Sequence, residues 1–162
     1  MFKINDYVVY GSNGVCMVKD IEKVTLRSEE LEYYILSPVY NDRMTIKIPV
    51  NNKKISMREL MTKVEIMNLI GEISKNEIVE IEDSRKKVEE YKAIIKKGNA
   101  EDLIKVINSI KLEENEKSLI GKKLNKTDED IMLSARKQLY QEMAIVLAIN
   151  VDEVQDYIKS NM

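Results

Sequence analysis

The sequence contains no histidine and no tryptophan, one cysteine, one phenylalanine, two prolines and five glycines in 162 residues. Without histidine there is no imidazole to shuttle protons near neutral pH, no serine or cysteine triad that uses one, and no histidine-ligated metal. The lone Cys16 excludes an internal disulfide and a cysteine zinc cluster, and its place in an apolar run makes it a buried thiol. No apolar stretch approaches the roughly 20 residues of a membrane-spanning helix, and the Met1-Phe-Lys-Ile-Asn-Asp6 start is too short and too acidic for a signal peptide. A cytoplasmic location is expected. The formal net charge of −2 excludes a globally basic, DNA-coating protein. Residues 1–60 carry nine basic and eight acidic side chains, and residues 61–162 carry 17 and 20, so any nucleic-acid contact must be local.

What is present divides into two patterns. The first third reads as β structure, with five candidate strands near 7–10, 14–20, 32–36, 45–49 and 54–56. Ser12-Asn13-Gly14 marks a turn between the first two, and Asn41-Asp42 marks another. Fewer than 60 residues of this kind predict a small all-β barrel of the SH3 or Tudor type, an architecture used chiefly for binding. Ser56-Met-Arg-Glu59 has capping-box spacing, so helix is expected to begin there and a second helix to cover 64–73. Residues 80–84 read as a connector, and a third helix runs over 85–97 to stop at Gly98. Asn99 caps a fourth helix carrying Leu103, Val106, Ile107 and Ile110. Thr127 is expected to cap a long one with Met132, Ala135, Leu139, Met143 and Val146 on one stripe, and Asn150 with Glu153 begins a short last helix. The fold class is therefore α+β by domain, a barrel over 1–58 followed by an all-α helical bundle over 59–162.

The order and spacing of Phe2-Lys-Ile-Asn-Asp-Tyr-Val-Val-Tyr10, Gly14-Val15, Ile21-Glu22, Glu32-Tyr-Tyr-Ile-Leu36, Met44-Thr-Ile-Lys-Ile-Pro49 and Met57-Arg58 resemble the CarD/CdnL family of bacterial transcription regulators. The N-terminal part is also similar to the polymerase-interacting domain of the transcription-repair coupling factor. The likeness continues through Lys97-Gly98-Asn99 and Ala135-Arg136 to Glu142. The resemblance implies a Tudor-like domain that docks on the RNA polymerase β subunit and a helical domain that reaches promoter DNA beside the transcription bubble, altering open-complex stability without catalysis. It places Lys47, Ile46, Pro49, Val24 and Leu26 at the polymerase surface; from pattern alone, Lys47 between two isoleucines is ordinary strand alternation.

For DNA the resemblance points to the start of the third helix, where the family commonly has a tryptophan followed by two basic residues. Counting back from Gly98 puts Ser84 at the tryptophan position and Lys86 and Lys87 at the pair; Arg85 and Lys92 extend the basic stripe. Cations at a helix N-terminus oppose the macrodipole by about 0.3 to 1 kcal/mol each, so local stability does not account for them. A solvated face with Arg85–Glu89 and Lys86–Glu90 pairs is the plain alternative. Where several family members are basic before the long helix, this chain has Thr127-Asp-Glu-Asp130, which suits a helix N-terminus and repels phosphate. Free protein is therefore expected to bind duplex DNA weakly, and to be a monomer or a strand-exchanged dimer. The competing readings are a polymerase-bound scaffold whose helical domain recruits another protein, and an enzyme using carboxylates or lysine, for which no motif speaks. No cofactor or metal is expected.

Overall fold

A computed structural model describes residues 1–162, which divide into two compact units, Met1–Leu60 and Met61–Met162. The first unit is an antiparallel sheet of β1 (Tyr7–Tyr10), β2 (Val15–Leu26), β3 (Glu29–Pro38), β4 (Ile46–Pro49) and β5 (Met57–Glu59), in the order β4-β3-β2-β1-β5. The sheet is open, with β4 and β5 as its edges, so the hydrogen-bonded closure expected of a barrel is not made. The edges are instead drawn to a common apolar core: Ile46 and Ile48 of β4 and Met57 of β5 pack in the same cluster as Val8, Tyr10, Cys16, Val18, Tyr34 and Leu36.

Local chemistry explains the turns. Between β1 and β2 the chain makes a short 3-10 turn over Gly11–Asn13 and then places Gly14 at φ 71°, ψ −148°, a conformation open only to glycine. The Tyr10 N–H then donates to the Gly14 carbonyl at 2.9 Å. β2 runs six residues past its expected end, with a bulge between Val18 and Asp20 that interrupts the alternation. It is joined to β3 by Arg27 and Ser28, both left-handed at φ 49° and 67°. Such a two-residue turn ordinarily uses Asn-Gly, so the usual sequence signal of this hairpin is missing.

The expected helix start at Ser56 is replaced by a strand. Met57–Glu59 pairs with β1, Val9 opposite Arg58 and Tyr10 opposite Met57, which satisfies the side of β1 that β2 leaves open. The same Ser/Thr-x-x-Glu spacing recurs six residues later, and there it caps: the Glu65 N–H donates to the Thr62 hydroxyl at 3.1 Å while the Thr62 N–H donates to the Glu65 carboxylate at 2.8 Å.

The second unit contains α1 (Lys63–Ile73), α2 (Lys87–Lys97), α3 (Ala100–Leu119), α4 (Lys126–Leu147) and α5 (Val151–Ser160). Gly98 ends α2 at φ 76° and Asn99 caps α3, as the pattern predicts. The cap of α4 is Asn125, whose side chain accepts from the Asp128 N–H at 2.8 Å, so the cap lies two residues before the expected Thr127 and the helix begins at Lys126. The stripe Met132, Ala135, Leu139 and Met143 is buried with Ile66, Ile70, Leu103, Val106, Ile110 and Val154. The connector after α1 is fastened to α3 by the Val79 N–H on Ser109 Oγ at 2.9 Å and by Asn108 Nδ2 on the Glu77 carbonyl at 2.9 Å. No helix is long and apolar enough to cross a membrane.

Candidate docking face and basic corner

Register separates the two faces of the first unit's sheet. Ile48 lies opposite Tyr34 and Ile46 opposite Leu36, on the core side; Lys47 lies opposite Ile35 and Pro49 opposite Tyr33, on the other. Continuing across β2 on that outer side, Tyr33 faces Glu22, Leu31 faces Val24 and Glu29 faces Leu26. Four of the five residues expected at a partner surface, Lys47, Pro49, Val24 and Leu26, therefore share one face. Ile46 does not; it points into the core, where it supports the face from behind.

The outer face is a half-buried apolar strip, Val24, Leu31, Tyr33 and Ile35, extended by exposed Pro49 and by Leu26 at 51% exposure. Lys47 sits over it. Its Nζ is 3.0 Å from Glu22 Oε2 and 5.2 Å from the centre of the Tyr33 ring. An exposed pair of this kind contributes little to stability, about 0 to 1 kcal/mol, but it sets where the ammonium stands on the strip.

The basic corner of the helical unit is built around Asp83. Its carboxylate accepts from the Arg85 N–H at 3.0 Å and from Arg85 Nε and a terminal nitrogen at 3.2 Å each, bending Ser84–Lys86 into a 3-10 turn ahead of α2. The Arg85 side-chain bond, then the backbone bond, holds the Asp83 carboxyl below its usual range. Ser84, Arg85, Lys86 and Lys92 are exposed. Arg85 pairs with Asp83 rather than with Glu89 as the i,i+4 pattern suggests.

Lys87 is different. Its ammonium lies 3.0 Å from Glu113 Oε2 on α3 and 3.3 Å from Asp128 Oδ2 on α4, and Lys117 closes on Glu113 at 3.4 Å. Asp128 is 1% exposed at its side chain, so one of the carboxylates expected to repel phosphate is turned inward. Burial alone would lower the Lys87 pKa, but the bonds from Glu113 and Asp128 outweigh it and the net shift is upward. For Glu113, burial pushes up and the Lys87 and Lys117 contacts pull harder, so its pKa falls. Lys87 thus ties α2 to α3 and α4.

Residues 2–61 match the family model of the CarD-like/TRCF RID domain. The first unit is similar to that domain. The match ends at the boundary between the two units, so it covers the sheet and its outer face and stops before α1.

Within the first unit, sequence reasoning missed Leu31, Tyr33 and Ile35, which make up the apolar part of the face. The signal lies in the alternation Leu31-Glu-Tyr33-Tyr-Ile35, but which member of each pair faces out depends on the pairing with β4 and on the bulge in β2, and neither is written locally. The ionic partners of Lys87, Glu113 and Asp128, were equally hidden because they lie 26 and 41 residues away in sequence.

Proposed function

We propose that this chain is a transcription-associated protein that binds RNA polymerase through the outer face of its CarD-like domain. The match of residues 2–61 to the CarD-like/TRCF RID domain carries the reading. The finer part of the proposal is that the partner is the polymerase β subunit, and that Val24, Leu31, Tyr33 and Pro49 supply apolar contact while Lys47 fixes orientation. An aromatic and aliphatic centre beside one placed cation is a composition suited to a protein interface. As a sheet edge, β4 also leaves one side to which a partner strand can add.

The helical unit is assigned the promoter side. Ser84, Arg85, Lys86 and Lys92 form the exposed basic set, able to meet phosphates and so to modulate open-complex stability once polymerase has brought the unit to the promoter. On this reading the protein acts by binding, in the compartment that holds polymerase, and catalyses nothing. The scaffold alternative, in which the helical unit recruits a protein, gains support from Lys87: its charge is neutralised within the unit, which shortens the basic stripe.

The deciding experiment combines polymerase capture with open-complex lifetime, using wild type and Lys47→Glu. The substitution reverses an outward charge and leaves the core side chains in place. Loss of capture by the folded variant supports the face; unchanged affinity for the isolated β lobe removes Lys47 from it. Capture with no change in open-complex lifetime or DNA footprint selects the scaffold.

A further inference from the structure

The helical unit holds a partly open pocket of about 490 Å³ bordered by the end of α1, the following connector, α3, α4 and α5. That volume lies within the range of small-molecule sites. Aliphatic side chains make most of its wall, among them the buried Ile104 and Leu139 and the half-buried Ile107. Three cations border the same space, Lys111, Arg136 and Lys159, together with Met162 at the end of the chain, and no Asp or Glu side chain does.

Lys111 and Lys159 are exposed, and by themselves they are an ordinary solvated rim. Arg136 is not ordinary. Its Nε is buried and has no hydrogen-bond partner in the protein. A buried donor on a charged group without an acceptor is among the least favourable states a side chain can take, and native proteins supply one from protein, water or ligand. Elsewhere the unit pairs its half-buried cations: Lys87 and Lys117 both reach Glu113. Arg136 Nε has no acceptor in the protein, and the wall of this pocket is mostly aliphatic, so the complementary molecule has an anionic end and an apolar body.

We propose that this cavity binds an aliphatic organic anion, its tail against Ile104, Ile107 and Leu139 and its head on the Arg136 guanidinium, with Lys111 and Lys159 at the rim. The head is a carboxylate or a phosphate monoester, which share the acceptor oxygens and charge that a guanidinium recognises. The site depends on neither polymerase nor DNA, and it stands apart from the proposed function.

The test is calorimetric titration of the full chain with decanoate, decyl phosphate, decanol and decyltrimethylammonium, each below its micelle-forming concentration. Binding of at least one of the two anions, with decanol and the cation at least about tenfold weaker, is the expected result, since one charge-assisted hydrogen bond is worth about that factor. Arg136→Gln, checked for fold by circular dichroism, should weaken the anion about tenfold. If that variant does not fold, Lys111→Glu with Lys159→Glu reverses the exposed rim and should weaken it likewise. Equal affinity for decanol and decanoate, absence of binding by both anions at millimolar concentration, or unchanged affinity in the folded Arg136→Gln protein would each overturn the proposal. Preference between decanoate and decyl phosphate identifies the head.

Discussion

The ammonium of Lys87 lies 3.3 Å from the carboxylate of Asp128, at a point where Asp128 is almost entirely out of water. The sequence places Lys87 in a basic cluster at a helix start; the fold converts it into a brace between α2, α3 and α4.

Lys87→Ala should therefore destabilise the helical unit by about 1 to 3 kcal/mol, because it leaves Asp128 buried without its cation. The full penalty of breaking a buried pair is not expected, since Lys87 and Glu113 keep about a quarter of their surface in water. Adding Asp128→Asn to Lys87→Ala should recover part of the loss, and urea denaturation of both variants measures it. Equal stability of Lys87→Ala and wild type would remove the brace.

The same cluster sets a pH dependence with a fixed sign. Glu113 has a depressed pKa when folded, so its contribution is present above the unfolded carboxylate range near 4.5 and is lost as pH falls through the folded value. Lys87 has a raised pKa, so its contribution is present below about 10.5 and is lost as pH rises through the folded value. Stability of the helical unit should accordingly be flat between roughly pH 5 and 10 and fall on either side. In Glu113→Gln the acid limb should be shallower, as read from denaturation midpoints between pH 3 and 7.

At the hairpin tip, the double substitution Arg27→Asn with Ser28→Gly should stabilise the first unit by about 1 kcal/mol, since both positions hold left-handed backbone that suits asparagine and glycine. Cys16 supplies the readout. It is fully buried and burial pushes its thiol up to about 11, so it should react with a thiol reagent only when the sheet opens. Slower labelling in this double variant than in wild type is the expected outcome.

For the proposed promoter contact, Arg85→Ala with Lys86→Ala should shorten open-complex lifetime while sparing polymerase capture and thermal stability, because both side chains are exposed. Ser84→Trp should lengthen it by restoring an apolar wedge next to those cations. Unchanged lifetimes in both variants on responsive promoters would move the helical unit to the scaffold reading.

Element type was legible wherever a short-range rule decided it. β1 matches its expected residues, and the helix stops and caps at Gly98, Asn99 and Asn150 follow from side chains within three positions. Errors fell where a distant partner decides. Met57–Glu59 became a strand because β1 had an unpaired side, and β2 ran on to Leu26 because β3 lay ready to pair with it. The side of the sheet on which each residue lies was not legible for Ile46, which packs into the core while Lys47 and Val24 lie on the outer side, since a strand's parity is fixed only once its neighbour's register is known. The Arg136 cavity was not legible at all, being assembled from four separate stretches of chain.

The strained Arg27–Ser28 turn also bears on how fast the chain reaches its native state. The β2–β3 ladder begins at Leu26 opposite Glu29 and zips outward to Cys16 opposite Pro38, so its first rungs close the shortest loop in the sheet. Every later rung waits on a tip that two side chains disfavour. If this ladder is already formed at the folding barrier, easing the tip accelerates folding and leaves the unfolding rate nearly unchanged, so the refolding arm of the chevron is the one that moves.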